Sequence, residues 1–354
     1  MSYFINKPYK NIDIFNILYF YYLKYIKSNM QIKNSHKFSV APMLKYTDRH
    51  CLFFYRQLTR FTFLYTEMIT THEMIYNKNL FTNNQVNMIN PLAIQLAGNN
   101  HIHFKECAKI AYSMGFSEIN LNIGCPSKHA QYGNFGARLM HQPKLIYLLI
   151  KSIYFTVPTP ISLKIRLGTN KHNQYEFLKN FIQQVSKNRY CTKFIIHARI
   201  ADLKCNSPKK NRNVPALNYQ YVYQIKKDFP NLKIILNGGI KSIIEIQQHL
   251  KYVDGIMMGR EIYKNPLLLY EIDEKIFLHK KYMKLKQCFE KMSTYITNEK
   301  NNGIKTIHII KHMVNIFYNQ PYSKKWKLYF LKNINCPNNI ENLFQKIYKI
   351  LNIK

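Results

Sequence analysis

Eight short β-rich apolar runs recur between residues 38 and 258, each followed by a longer stretch of helical periodicity. The runs are Phe38–Ala41, Phe63–Thr66, Leu92–Leu96, Glu118–Asn122, Ile161–Ile165, Lys193–Ile196, Lys233–Leu236 and Gly255–Met258. Stretches such as His101–Met114, Tyr219–Phe229 and Lys241–Leu250 space their apolar residues as one buried helix face requires. Strand and helix in regular alternation call for parallel strands joined by crossover helices. Eight such units in about 230 residues fit a closed TIM (β/α)8 barrel better than an open doubly wound sheet.

A barrel carries its working residues just after its strands. Those eight positions hold Pro42 and Met43; Glu67; Gln95; the corner from Asn122 to Pro126; Lys164 and Arg166; His197 and Arg199; Asn237, Gly238 and Gly239; and Gly259 with Arg260. Glycines after strand seven and a Gly-Arg pair after strand eight suit the phosphate site that barrels build from their last two loops, because backbone N–H groups can approach the anion and Arg260 adds charge. Lys164 and His197 end strands five and six, so their side chains should point into the mouth. There a cationic donor stabilises negative charge on a reduced flavin ring. Taken singly, each reads as a surface lysine or a satisfied core histidine; the set carries the argument.

Cys125 stands between Gly124 and Pro126, at a strand end and ahead of the glycine-containing loop "GNFGARLM". Its thiol is a candidate acid or nucleophile, whereas Cys51, Cys107, Cys191 and Cys288 read as small buried apolar side chains. The seven cysteines contain no C-x-x-C pair and no metal-ligand spacing, so reduced thiols in an intracellular compartment are expected and a metal site is not.

From about Glu271 the repeat stops, and apolar residues recur at helical spacing among lysines. The expected organisation is a barrel over residues 37–270 and a small all-helical C-terminal domain over 271–354, with 16 Lys and no Arg against 6 acids, a net +10. Pro337, in the Asn-rich "NINCPNN", marks a loop inside that domain. Residues 1–36 form an N-terminal extension whose hydrophobic "IDIFNILYFYYLKYI" holds Lys24; a targeting leader, to an organelle or otherwise, or an added helix is expected there. No apolar run reaches bilayer-spanning length, so no stable membrane association is expected.

Across the whole chain 52 Lys and Arg face 18 acids, a formal net charge of +34. Such an excess suits a polyanionic partner, nucleic acid first. Codons rich in A and T would enrich Lys, Asn, Ile, Tyr and Phe together, so the charge argues for RNA or DNA only through its placement.

A family resemblance rests on a series of segments: "SVAPMLKYTDRHC", "LYTEMITT", "PLAIQLAG", "EINLNIGCPS", "GNFGARLM", "LKIRLG", "FIIHAR", "SPKKNRNVPALNY", "LNGGI" and "DGIMMGREIYKNP". Together, from about Phe38 to Pro266, they resemble the tRNA-dihydrouridine synthases, and most of all the subfamily called DusA, which acts in the tRNA D-loop at positions 20 and 20a. The resemblance implies FMN-dependent reduction of the C5–C6 bond of uridine in tRNA, with NADPH recharging the flavin. It carries the catalytic acid to Cys125, and the flavin contacts to Pro42, Met43, Leu44, Gln95, Lys164, His197, Asn237, Gly238, Gly239, Gly259 and Arg260. It assigns Asn122 to the RNA or its base, and Lys209 and Arg212 to the RNA backbone. In the tail, "PYSKKWKLYF" is similar to a family segment with a tryptophan between two arginines; here Lys324 and Lys327 flank Trp326. Lysine is a point donor and cannot make the bidentate phosphate contact of arginine, which bears on tRNA affinity or register and not on the chemistry.

The implied reaction gives the thiol a task. Hydride arrives at C6 of the uracil, charge builds toward C5, and a proton must reach C5 from the opposite face. A thiol, mostly protonated at neutral pH, can supply it. Two other readings compete: an FMN barrel acting on a free pyrimidine, and a tRNA-binding protein with little turnover. A small substrate needs neither the basic tail nor the "SPKKNR" loop, and the intact cysteine, lysine and histidine argue for activity. No protein partner is implied.

Overall fold

The computed structural model describes residues 36–77, 80–169, 174–205, 207, 209–279 and 285–333; the expectations for residues 1–35 and for the loop at Pro337 lie outside these. The strands are β1 Phe38–Val40, β2 Leu64–Thr70, β3 Leu92–Ala97, β4 Glu118–Ile123, β5 Ile161–Arg166, β6 Lys193–His197, β7 Lys233–Asn237 and β8 Gly255–Met258. All neighbours pair in parallel, in the order β1-β8-β7-β6-β5-β4-β3-β2. The ring closes where Ser39 bridges Phe63, with Val40 N–H donating to the Phe63 carbonyl (2.9 Å) and Phe63 N–H to the Phe38 carbonyl (3.1 Å). The expected TIM barrel is therefore present.

Helices follow each strand: α1 Arg49–Leu58 after β1; α2 Thr71–Tyr76 and α3 Asn83–Ile89 after β2; α4 His101–Ser113 after β3; α5 Lys128–Tyr132 and α6 Pro143–Tyr154 after β4. The second half continues with α7 Gln174–Val185, α8 Tyr219–Asp228, α9 Ile243–His249, α10 Arg260–Lys264 and α11 Leu268–Lys275. Their starts are written in the sequence as side-chain caps. Asp48 accepts from His50 and Cys51, Asn100 from Ile102 and His103, and Ser242 from Glu245, each satisfying backbone donors that a helix leaves open.

Side-chain alternation sorts the strands into two cores. Leu92, Ile94 and Leu96, with Ile119, Leu121, Leu163 and Ile165, face the helices in the main core. Ala41, Phe63, Tyr65, Ala93, Ile195, Ile235 and Met257 face one another inside the barrel. On β3 to β7 the inward positions nearer the mouth are polar: Gln95, Asn120, Asn122, Ser162, Lys164, His197 and Asn237. A filled barrel interior would be apolar for stability alone, so this polar sector is where function is built.

β2 outruns its expected end at Thr66. Its register slips between Tyr65 and Met68, and the Thr66 hydroxyl accepts the Gln95 N–H (3.0 Å) in place of a backbone carbonyl. A bulge of this kind hides the strand's continuation from any period-two reading.

The tail places α12 Leu285–Asn301, α13 Thr306–Ile310 and α14 Ser323–Asn333 beside the barrel. α12 lies on α1: Tyr295 stacks on Phe53 (centroids 4.0 Å apart) and hydrogen-bonds His50 Nδ1 (2.8 Å), and Glu299 pairs with Arg49 (2.8 Å). Asp48, the cap of α1, also takes His312 Nε2 (3.0 Å) and Lys311 Nζ (3.1 Å). Trp326 anchors these helices, buried against Phe330, Phe317 and Phe289, with its indole N–H on the Val314 carbonyl (3.0 Å). Among the described residues no helix is long and apolar enough to cross a membrane.

Candidate active site at the barrel mouth

The Cys125 corner is built by the residue that ends the strand pattern before it. Asn122 Oδ1 accepts the N–H groups of Gly124 (3.1 Å) and Cys125 (3.0 Å), turning the chain out of β4. The thiol is half-buried, with Ser127 Oγ 3.2 Å from its sulfur. Gly136, at φ +73°, returns the following loop onto this corner: Ala137 N–H reaches the Cys125 carbonyl (2.9 Å), and a Cβ at 136 would collide with that oxygen. The glycine in "GNFGARLM" is there for close approach. By contrast Cys51, Cys107, Cys191 and Cys288 are buried, and burial raises each thiol pKa, to about 12 for Cys107 and Cys191.

Strand register assembles the rest. Asn122 pairs with Lys164, Arg166 with His197, and His197 with Asn237, so four adjacent strand ends deliver their side chains to one mouth. Lys164 Nζ makes one hydrogen bond among the described residues, to Asn237 Oδ1 at 3.3 Å, and Asn237 is itself held by the Met257 carbonyl (2.8 Å). Burial, with Arg166 adding repulsion, brings the Lys164 pKa down to about 7. Burial, then Arg166 and Lys164, also push His197 well below its ordinary value, so its ring is neutral. That ring packs on Gly238 (φ +116°), where a Cβ would lie 2.6 Å from Cδ2; Gly239 follows at φ +77° under Leu217.

Arg166, noted at its strand end but given no role by the sequence, clamps two loops at three points. Its guanidinium donates to the carbonyls of Gly124 (3.3 Å), Ile200 (3.0 Å) and Asn211 (2.9 Å). Asn211 in turn folds the "SPKKNR" loop through Asp202 N–H (2.8 Å) and the carbonyls of Asp202 (2.9 Å) and Cys205 (3.2 Å). Lys209 and Arg212 thereby stand exposed on a loop fixed to the mouth. Arg260, exposed, reaches the same loop at Asn213 (2.7 Å) and the Arg212 carbonyl (3.4 Å). Such a clamp joins carbonyls distant in sequence, and no motif announces it.

Across the mouth, Pro42, Met43 and Leu44 open the loop after β1. Met43 is tied to Thr47 by N–H to Oγ1 (2.9 Å) and by its carbonyl from Thr47 N–H (2.9 Å), while Lys45 N–H donates to Glu67 Oε2 (2.6 Å). Gly259 faces this loop, where a Cβ would come within 3.2 Å of Met43 Sδ. Gln95 lies deeper, inside the barrel, between Asn120 and Asn122. Lys324 and Lys327 stand apart on α14, on either side of Trp326.

Comparison with known proteins decides the family. The profile of the dihydrouridine synthases matches residues 39–351, nearly the whole described chain and more. The chain belongs to the dihydrouridine synthase family. A tRNA-dihydrouridine(20/20a) synthase of Vibrio vulnificus (strain CMCP6) is 42% identical over 90% of this chain and 98% of its own. The protein of that name in Escherichia coli (strain K12) is 43% identical over 84% of this chain and 87% of its own. Two solved structures share the fold: histamine dehydrogenase from Rhizobium sp. 4-9 (TM-score 0.50, 13% identity, 73% of this chain and 48% of that one) and morphinone reductase (TM-score 0.50, 10% identity, 70% and 87%).

As a dihydrouridine synthase, the chain is an oxidoreductase that saturates uridine in tRNA, and its mouth fits the flavin such a reaction uses. Lys164 is a half-buried donor with a single long bond among the described residues, and the buried His197 ring makes no hydrogen bond among them. Two positive-φ glycines, Gly238 and Gly239, let the backbone pass close beside them. A planar group with anionic and carbonyl oxygens satisfies those donors together.

Proposed function

We propose that this mouth binds FMN along the β5–β8 side and receives a uridine extruded from the tRNA D-loop, at position 20, 20a or both, with Cys125 as proton donor to C5. FMN, recharged by NADPH, supplies the hydride. Pro42, Met43, Leu44 and Gln95 line the ring's near side in this reading. Asn237, Gly238, Gly239, Gly259 and Arg260 take its phosphate end, where glycine backbone and a guanidinium suit an anion. Lys164 holds positive charge beside the ring, and neutral His197 donates one hydrogen bond. Asn122 fixes the corner and touches the base. The barrel, residues 37–270, is the catalytic unit, and the basic helices of 271–354 hold the RNA, which must be anchored while one base leaves its stack. Such an enzyme works in the reducing, intracellular compartment where tRNA is processed.

One observation carries this reading: the half-buried sulfur of Cys125 is held on a fixed corner at the strand end beside Lys164, unlike the four buried core thiols. General-acid removal costs about 10²–10⁴-fold. Cys125→Ala should therefore slow single-turnover reoxidation of the NADPH-reduced enzyme by unmodified tRNA by about that factor, read from flavin absorbance. A wild-type rate would show that the proton comes from elsewhere. Mapping dihydrouridine in tRNA from cells lacking the chain tests the position: an unchanged D-loop would refute it.

A further inference from the structure

Below the mouth, an unbroken file of hydrogen bonds runs down the barrel from the Cys125 corner to the floor. Gly124 and Cys125 N–H donate to Asn122 Oδ1, and Asn122 Nδ2 donates to Gln95 Oε1 (2.9 Å). Gln95 Nε2 donates to Asn120 Oδ1 (2.7 Å), and Asn120 Nδ2 to Ser162 Oγ (2.7 Å). Ser162 then donates to Glu118 Oε1 through a short bond. Glu118 also receives the Tyr65 hydroxyl on Oε1 (2.8 Å) and Lys193 Nζ on Oε2. Gln95, Asn120, Ser162, Tyr65 and Glu118 are each 1% exposed or less, so water does not substitute for the links among them; Asn122, at the mouth, is half-buried. At about 3.3 Å of rise per residue, the corner stands roughly 13 Å from the carboxylate that ends the file.

The file has a sense. Amides and hydroxyls can be turned either way, but backbone N–H groups only donate and a carboxylate only accepts. With donors alone at the mouth and an acceptor alone at the floor, one arrangement satisfies every link, and the structure shows it. We propose that Glu118 is a positioning residue: paired with Lys193 and Tyr65, it sets the amide orientation of Asn120, Gln95 and Asn122, and so presents Asn122 Oδ1 to the backbone of Cys125. Its effect on turnover rests on the reading of Cys125 as the proton donor.

Replacing the carboxylate by an amide reverses the file for a specific reason. In Glu118→Gln the Lys193 ammonium claims the amide oxygen, which turns the NH2 group toward Ser162. Ser162 must then donate to Asn120, and each amide above it flips in turn. Asn122 is left presenting Nδ2 to two backbone N–H groups, donor against donor. Ser162→Ala cuts the file midway while leaving the Glu118–Lys193 pair in place, and it guards against misfolding of the first variant.

The test is amide hydrogen exchange over residues 122–127, read by mass spectrometry in the flavin-loaded full chain, beside single-turnover reduction of tRNA. Losing one net hydrogen bond predicts about tenfold faster exchange at Gly124 and Cys125 in either variant. Exchange in β7 should stay at the wild-type value, and turnover should fall. Wild-type exchange at the corner in both variants overturns the proposal, whatever Cys125 does. Faster exchange with wild-type turnover upholds the file and instead removes Cys125 from the chemistry, an outcome that Cys125→Ala would repeat.

Discussion

Lys164 is the residue on which the charge of the mouth turns. Burial, with Arg166 beside it, holds its pKa at about 7 before any ligand arrives. A flavin that accepts a charged hydrogen bond from Nζ binds the protonated form, so above pH 7 binding must take up a proton. FMN affinity should then fall by up to about tenfold per pH unit between pH 7 and 9, and Lys164→Met should bind more weakly with that slope removed. Quenching of flavin fluorescence on titration measures both. The positions of Lys164, His197 and Cys125 were legible in the sequence because a barrel puts the residue at each strand end into the mouth. Glu118 and Lys193 were not, since they meet across the interior from 75 residues apart and each alone reads as the polar start of a strand. Arg166 was visible as a rim residue, but its three carbonyl partners come together only once the loops after β4 and β6 are folded.

Among elements, the loop between α5 and α6 shows how a glycine can be fixed by a neighbour and not by a turn alone. Gly136 and Gly303 both have positive φ, but only Gly136 is pressed on another chain segment, and Gly303 has nothing within 4 Å. Gly303→Ala should therefore cost only the left-handed backbone term, about 1–2 kcal/mol, and leave turnover at the wild-type rate. Gly136→Ala adds a collision with the Cys125 carbonyl and should cost more, about 2–4 kcal/mol, with turnover falling as the corner shifts. Thermal unfolding of the two variants beside single-turnover rates separates them. The strands were legible to within a residue or so for seven of eight elements, β2 excepted. There the bulge after Tyr65 breaks the alternation on which strand reading depends, and Thr70 then caps the next helix, so the segment resembles a loop.

At the scale of the whole molecule, the helical tail is joined to the barrel at α1, whose own start at Asp48 lies one residue beyond the Met43–Thr47 loop. Burial alone would raise the Asp48 carboxyl, but the His312 hydrogen bond and charge, the Cys51 N–H and Lys311 outweigh it and hold its pKa at about 2. This anchoring orients a tail rich in lysine and free of arginine, carrying part of a net charge of +34. The number of those charges says little about which ones touch RNA. Trp326 is more informative: buried on Phe330, it fixes the helix that displays Lys324 and Lys327. If both lysines neutralise phosphates, the double variant Lys324→Ala/Lys327→Ala should weaken tRNA binding and flatten the plot of log affinity against log salt by about 1.4–1.8 units, at about 0.7–0.9 per phosphate. Fluorescence anisotropy with labelled tRNA between about 50 and 200 mM salt gives that slope. With tRNA saturating, the flavin reoxidation rate should stay at the wild-type value, because both lysines belong to a tail helix and not to a strand end of the mouth. An unchanged slope would place the RNA on another face of the tail, and a changed saturated rate would mean that the tail sets the base in the mouth as well as holding the RNA.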